Sequence, residues 1–250
     1  GCPINRNIYD LVQCSKFLVL IKECCKDAQE YIPDYLDDIV DKLINCVCSL
    51  KNTAHKNPLF NGANELKINS YLEYLVGLEY KINNTKNHIA QIYILKGKNF
   101  LLFFDVGSPP GKGNSNSYQC GPLSFEYFIN NHKIITNCGF GSKISKKAEL
   151  ISRLTSAQST LCLNDTSVTK FERNNLINNT FGTSTISSFK VYDFNLKDDK
   201  NSISASAKHD AYKNNFNYFH ERKLKIDKKT GNLSGEDNLI PGNNSKKLVN

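Results

Sequence analysis

Apolar residues recur at α-helical spacing over the first third of the chain. One wide stripe runs from Asn7 to Glu30, and a second covers one face of the segment from Tyr35 to Leu50, whose other face is mostly acidic. Pro33-Asp34 stops the first pattern and supplies a new N-cap, so the short connection predicts two antiparallel helices. A third helix is predicted over about residues 66–80. Because the first stripe is wide, we expect that helix to pack on more than one side.

The period of the apolar residues then changes to two, which is typical of β-strands. Strands are predicted at residues 89–95, 99–106, 123–129, 133–136, 159–164, 167–172, 186–194, 201–208, 217–226 and 231–237. Helices followed by many antiparallel strands indicate an α+β chain with segregated parts. We place the boundary near residues 83–88, which gives a helical domain over 1–85 and an antiparallel β-domain over 86–250.

The charge of the chain argues against one class of partner. The 250 residues carry 32 Lys and Arg against 24 Asp and Glu, for a net charge of +8. Only four of the basic residues are Arg, and the lysines are dispersed, whereas base recognition favours Arg and clustered basic stripes. Nucleic acid is therefore not expected as a partner, although an acidic sugar polymer would still be attracted. No apolar run approaches the length of a membrane span.

The cysteines and histidines do not indicate a metal site. There are nine Cys, an odd number without CxxC spacing, which favours free thiols over a disulfide framework. The five His have no pair at metal-ligand spacing.

The chain begins at Gly1 without a visible leader, so we expect a fragment of a longer protein whose export signal would lie on the missing part.

Several short motifs follow one another along the chain. They are PINRNIYDL at 3–11, PLFNGANE at 58–65, GPLSFE at 121–126, TNCG at 136–139, SRLTSAQST at 152–160, AKHDAY at 207–212 and FHERKLKID at 219–227. In this order they resemble the heparinase II/III-like family of polysaccharide lyases. The resemblance implies the last helices of an (α/α) toroid followed by an antiparallel β-sandwich. It also implies a bacterial protein of the cell envelope or periplasm. Nine thiols are unusual in an oxidising compartment, so a cytoplasmic location stays open as the alternative.

The activity that the resemblance implies is β-elimination on an acidic, uronate-containing polysaccharide. This reaction needs a group that neutralises the uronate carboxylate, a base for the C5 proton and an acid for the leaving O4. In the family, much of this set lies upstream of the part that this chain resembles. Here His209 and Tyr212 are the candidate catalytic residues, on condition that they face the helical part. The alternative is that both are ordinary satisfied residues of the β-domain.

The chain departs from the family where some members hold a metal ion. The family's two His and one Asp correspond here to Gln119, Asn137 and Gln158. Amide oxygens are poor zinc ligands beside imidazole and carboxylate, so no metal and no other cofactor is expected. Two interpretations stay open. The amides form a structural polar cluster beneath the loop, or they bind sugar hydroxyls or a uronate carboxylate.

Three further residues are candidates for substrate binding. Arg153 lies where the family keeps an Arg, and a guanidinium can hold a carboxylate through two hydrogen bonds; the alternative is a structural pair with Glu149 or Glu126. Asn61 could shape a loop that faces the cleft, and Tyr118 could stack on a sugar or anchor its loop. The alternative function is a non-catalytic glycan-binding or envelope-assembly protein that has lost lyase chemistry. The oligomeric state does not follow from the sequence.

Overall fold

Three helices form the N-terminal part of the chain. The computed structural model describes residues 2–51, 57–82, 86–130 and 132–242. Its first helices are α1 (Ile8–Asp27), α2 (Asp34–Cys48) and α3 (Ile68–Gly77). The side chain of Asn7 caps α1 by accepting hydrogen bonds from the backbone N–H groups of its first turn. Lys22 near the end of α1 pairs with Asp37 in the first turn of α2, as an antiparallel arrangement requires.

Only one face of α1 is buried within the described residues. That face contains Ile8, Leu11, Val12, Ser15, Val19 and Lys22. On the opposite face, Phe17, Leu20 and Ile21 are 63%, 53% and 49% exposed. The expectation that α1 packs on more than one side is therefore wrong for this part of the chain. The wide stripe consists of two apolar faces, and the described residues cover one of them.

The first β-sheet lies directly against these helices. It contains β1 (His88–Ile89), β2 (Ile92–Lys96), β3 (Phe100–Asp105), β4 (Phe125–Ile129) and β5 (His132–Ile135). The strands are antiparallel and follow chain order across the sheet. Every residue of β3 is buried because the strand lies between two cores. Leu101 and Phe103 pack in the core shared with the helices, whereas Leu102 and Phe104 face the opposite core.

A second antiparallel sheet covers the other face of the first. Its strands are β6 (Val191–Asp198), β7 (Ser202–His209), β8 (Tyr218–Asp227) and β9 (Leu233–Pro241), again in chain order. Burial alternates strictly along β7, so Ala205 and Ala207 pack against the first sheet while Ser204 and Ser206 lie on the outer face. The layers are helices, first sheet and second sheet. The prediction of an α+β chain with helices before an antiparallel sandwich is confirmed.

The segment between the two sheets differs from the prediction. Residues 159–164 and 167–172, predicted as strands, contain only the isolated bridges Leu163–Thr166 and Phe171–Thr185. The strand predicted from residue 186 begins at Val191. Short helices lie where none was predicted: α4 (Lys146–Ser152), α5 (Asn175–Phe181) and α6 (Lys213–Phe216).

Two sequence expectations concern places that are only partly described. Residues 83–85 of the expected domain boundary lie outside the described residues, as does residue 131 between β4 and β5. The hairpin of β4 and β5 itself is confirmed by the pairing of Ile129 with His132. In the part of the chain that the structure describes, no helix combines the length and hydrophobicity needed to cross a membrane.

Candidate functional site

A crevice of about 390 Å³ opens where the N-terminal helical part meets the loops that leave the first sheet. We call it the junction crevice; its lining residues are Asn5, Asp10, Gly113, Asn114, Asn116, Ser117, Phe140 and Glu149. Four separate segments supply them: the start of α1, the β3–β4 connection, the residues after β5, and α4. Amide and hydroxyl groups beside an aromatic ring suit a ligand with hydroxyls and apolar ring faces, such as a sugar.

Gln119 is the centre of a buried hydrogen-bond network next to this crevice. Its Oε1 accepts from the backbone N–H of Gly62 at 3.1 Å, and its Nε2 donates to the carbonyls of Gly139 and Ser152 at 2.7 and 2.9 Å. Gln158 Nε2 donates to the same Ser152 carbonyl at 2.8 Å. Two of the three amides named from the sequence therefore converge on one acceptor.

The network fixes the aromatic ring of the crevice. Phe140 lies between Gly139, whose carbonyl is held by Gln119, and Gly141, whose N–H donates to Ser152 Oγ at 3.0 Å. The backbone on both sides of the ring is thus anchored. Gln119 has no lining role of its own but positions a residue that does line the crevice.

Asn137, the third amide, joins the cluster through Ser159 and Glu126. Its Oδ1 accepts from the Ser159 N–H at 2.9 Å, and its own backbone N–H donates to Glu126 Oε1 at 3.0 Å. Burial raises the pKa of Glu126, although the hydrogen bond from Asn137 and the charge of Lys133 act against that rise. Asn137 connects the strand β4, which carries Glu126, to the irregular segment after residue 158.

A buried ion pair holds the other side of the network. Arg6 Nη2 lies 3.3 Å from Asp105 Oδ2, and Asn61 Nδ2 donates to the same oxygen at 3.1 Å. Asn61 and Gly62 have φ angles of 56° and 88°, and a Cβ at Gly62 would lie 2.5 Å from that of Ser117. Only a glycine at position 62 lets the turn come this close to Ser117, which lines the junction crevice. Arg6 lies in the PINRNIYDL motif, and its role was not predicted.

Arg153 is completely buried and binds backbone. Its Nε donates to the Tyr118 carbonyl at 2.9 Å, Nη1 to Thr183 at 2.6 Å and Nη2 to Ser115 at 2.7 Å. The Glu149 carboxylate lies 3.9 Å away, and burial lowers the pKa of Arg153. The expectation that this guanidinium grips a substrate carboxylate does not fit its burial. It instead holds the 115–118 segment, which forms one wall of the crevice.

The predicted substrate-binding residues share this burial. Their exposed fractions are 0% for Arg153, 1% for Tyr118, 2% for Asn61, 2% for Asn137, 3% for Gln119 and 9% for Gln158. None of them is among the residues that line the junction crevice. The structure brings them together as one polar layer around its walls, which favours the structural interpretation of the amides. The residues that do line it come from four segments, and no motif joins Asn5 and Asp10 of PINRNIYDL to the others, so sequence reasoning missed them. The richness of residues 108–117 in Asn, Ser and Gly is the signal that could have found part of the lining.

His209 and Tyr212 form a second buried network, in the outer sheet. His209 Nδ1 accepts from the Ala211 N–H at 3.2 Å, which leaves Nε2 to donate to His220 Nδ1 at 2.9 Å. His220 Nε2 then donates to Asp237 Oδ1 at 2.8 Å. Tyr212 packs with Tyr118 and Phe189, and its hydroxyl donates to the Leu161 carbonyl at 2.5 Å.

The condition set for a catalytic role is therefore not met. His209 and Tyr212 are 0% and 1% exposed, and neither faces the helices or lines the junction crevice. Burial, together with His220 and Arg222, lowers the pKa of His209 well below its usual range. A neutral, enclosed imidazole that is hydrogen-bonded at both nitrogens suits a structural role.

The amide cluster is not suited to hold a metal ion. The side-chain oxygen of Gln119 accepts from Gly62, and that of Asn137 accepts from Ser159, so both are already engaged. Among the described residues, no group of three or more His, Cys, Asp and Glu is placed to hold a metal ion. The cluster works instead as a hydrogen-bonded brace.

The family model "Heparinase II/III-like, C-terminal" matches residues 88–248. The chain belongs to the heparinase II/III-like family. The match includes GPLSFE, TNCG and SRLTSAQST, the segments that carry the amide network. A comparison with curated proteins finds no match.

Two solved structures share the fold of this chain. The heparan sulfate lyase HepC from Pedobacter heparinus superposes with a TM-score of 0.66 at 14% identity, over 92% of this chain and 37% of that one. Heparinase III superposes with a TM-score of 0.60 at 13% identity, over 84% and 35%. The chain thus spans little more than a third of the length of these structures. At such identities the likeness shows the fold alone.

Proposed function

We propose that the chain is part of a polysaccharide lyase relative that cleaves an acidic, uronate-containing glycan by β-elimination, with the glycan bound in the junction crevice. The supporting observation is the crevice itself, because both the helical and the β parts line it with amide, hydroxyl and aromatic groups. The buried network around Gln119 and Arg153 holds those groups in place. Preorganised donors of this kind stabilise developing charge at little reorganisation cost.

The crevice contributes part of the reaction chemistry. Amide N–H groups such as that of Asn114 can donate to a uronate carboxylate, which makes the C5 proton more acidic. Of the described lining residues, Asp10 and Glu149 can accept a proton. Asn5 Nδ2 donates a short hydrogen bond to Asp10 at 2.6 Å, whereas the Glu149 carboxylate has the longer contact with Arg153 at 3.9 Å, so we favour Glu149 as the base of this chain. We assign the remaining groups to a part of the protein outside this chain.

We further propose that residues 1–85 form the end of a helical toroid and residues 86–250 the β-domain. The exposed apolar face of α1, which contains Phe17, Leu20 and Ile21, supports this assignment because such a face normally packs against further helices. Family membership supports a bacterial cell envelope or periplasmic location. The nine cysteines are all unpaired, so an exported protein would have to protect them from oxidation.

The proposal is tested by absorbance, because β-elimination creates an unsaturated uronate that absorbs in the near ultraviolet. A protein that contains the whole chain is mixed with uronate glycans, including heparan sulfate, on which HepC acts according to its name. We expect absorbance to rise, and Phe140→Ala to lower kcat/KM by about tenfold or more through loss of ring contacts. Tyr31→Ala is the matched control, since Tyr31 is 76% exposed and lies outside both the crevice lining and the apolar face of α1.

The alternative is a glycan-binding protein without lyase chemistry. The burial of His209 and Tyr212 favours it, because neither can reach a bound glycan. Glycan binding that depends on Phe140, with no unsaturated product from any glycan in the panel, would establish this alternative. Glu149→Gln tests the role of the base directly. In a lyase this variant loses turnover, whereas a glycan-binding protein shows no turnover with or without the substitution.

A further inference from the structure

The outer face of the second sheet carries a trough of about 490 Å³ that shares no lining residue with the junction crevice. We call it the sheet trough; the side chains that line it outward are Asn195, Lys197, Ser204, Ser206, Lys223, Lys225, Ser234 and Glu236. The trough exists because β7 presents small side chains between strands that present long ones. Ser204 and Ser206 form its floor, since the alternate residues of β7 are buried against the first sheet.

Strand register sets the positions of the lysines. Ser204 pairs with Lys197 on β6 and with Lys225 on β8, so one row across the sheet places a serine hydroxyl between two lysines. The next row places Ser206 between Asn195 and Lys223. Adjacent strands lie about 4.8 Å apart, so the lysines of the first row extend from backbones about 10 Å apart.

The charges of the two rows differ. Lys223 Nζ lies 3.1 Å from Glu221 and 3.9 Å from Glu236, so its charge is largely compensated. Among the described residues, Lys197 and Lys225 take part in no ion pair. Strand register therefore places Ser204 between two lysines whose charges no ion pair among the described residues compensates. An anionic group between them would remove their mutual repulsion and accept the hydroxyl hydrogen bond.

We propose that the sheet trough is a second binding site, for a linear anionic polysaccharide that seats a sulfate or carboxylate between Lys197 and Lys225. The choice of polysaccharide over nucleic acid rests on the proposed function. It also agrees with the trough itself, whose described lining has no aromatic side chain for base stacking and no arginine for base recognition. Such a site holds the polymer at a distance from the junction crevice and raises the local concentration of chain segments there.

The experiment measures binding of heparan sulfate to the whole chain at low ionic strength. The test protein carries Lys197→Gln and Lys225→Gln, which retain most of the side-chain length. The matched control carries Lys67→Gln and Lys98→Gln, which remove the same charge from exposed lysines outside the trough. We expect the test protein to bind at least about tenfold more weakly and the control to bind like the parent. Lys197→Arg with Lys225→Arg should restore binding.

Several outcomes would overturn the proposal. Equal weakening in the test and control proteins would mean general attraction to a basic protein. Unchanged binding in the test protein, with weakening by Phe140→Ala, would leave the crevice as the binding site and keep the proposed function intact. Lysine-dependent binding of duplex DNA in place of heparan sulfate would assign the trough to a nucleic acid. Loss of uronate-glycan turnover in the Lys197→Gln, Lys225→Gln protein on a short oligosaccharide would place these lysines in catalysis.

Discussion

Arg153 is the residue whose environment most changes its interpretation. Its guanidinium donates to the carbonyls of Ser115, Tyr118 and Thr183, in three different directions. A lysine at this position keeps the charge but cannot reach all three acceptors from one nitrogen. We expect Arg153→Lys to lower the free energy of unfolding by about 3 kcal/mol, because buried carbonyls lose charged donors. Urea denaturation of the two proteins measures the difference.

Arg173→Lys is the control for this substitution, because Arg173 is exposed and the same change should have almost no effect there. If Arg153→Lys leaves stability unchanged but weakens binding of a uronate glycan, the guanidinium contacts substrate after all. That result would contradict the structural role and restore the role that the family position of Arg153 first suggested.

At the level of single elements, α1 contains both a core face and an unpartnered face. Leu11 is fully buried, whereas Leu20 on the opposite side is 53% exposed. In the 250-residue chain measured without further helices, we expect Leu11→Ala to lower the free energy of unfolding by about 2–4 kcal/mol, and Leu20→Ala to change it by less than about 0.5 kcal/mol. The pair is matched in chemistry and in helix, so denaturant unfolding of the two variants isolates burial. Similar losses would show that the second face is covered, for instance by association of two chains.

The longer elements could be predicted because their periods are regular. The stripes of α1 and α2 and the alternation along β7 appear in the sequence as they do in the fold. The structure of residues 159–172 could not be predicted, because side chains rather than a partner strand make the hydrogen bonds to the neighbouring backbone. Ser159 Oγ donates to the Phe125 carbonyl at 2.5 Å and accepts from the Phe125 N–H at 2.9 Å, taking the place of a paired strand. Alternation alone does not reveal whether a partner strand is present.

The sequence could predict which residues of the candidate site lie close together, but not which of them line the crevice. The motifs around Gln119, Asn137 and Gln158 indicated residues that belong together, and their hydrogen bonds connect them. Their burial could not be foreseen, because an amide has the same identity in a brace as in a binding site. The lining of the junction crevice comes from residues such as Asn5 and Phe140, which are 135 positions apart in the sequence and come together only in the folded chain.

Across the whole molecule, a network of two histidines, Asp237 and Arg222 connects the second sheet to the part of the chain around the first sheet. His209, His220 and Asp237 lie on the successive strands β7, β8 and β9. Arg222 binds both oxygens of Asp237 and also donates to the carbonyls of Leu123 and Ser159, which belong to the part of the chain around the first sheet. Charging one histidine in this network should therefore affect the unfolding of the whole molecule.

The expected pH dependence follows from His209. Burial, His220 and Arg222 lower its pKa in the folded state well below its unfolded value of 6.5, although Asp237 acts in the opposite direction. Below pH 6.5 the unfolded chain therefore binds a proton that the folded chain does not, so stability falls as the pH falls. Between pH 7.5 and 5.5 we expect the parent protein to lose on the order of 1 kcal/mol through this group.

Urea unfolding at these two pH values, with two variants, isolates the effect. His209→Gln should reduce the pH dependence, whereas His132→Gln should leave it as in the parent, because His132 is exposed. Hydrogen bonds from His220 and Arg222 overcome the opposing effect of burial and lower the pKa of Asp237, so that carboxylate would lose its charge only below this window. The raised pKa of Glu126 makes stability rise as the pH falls, but it acts equally in all three proteins. An equal pH dependence in the parent and His209→Gln would mean that folding does not lower the pKa of His209.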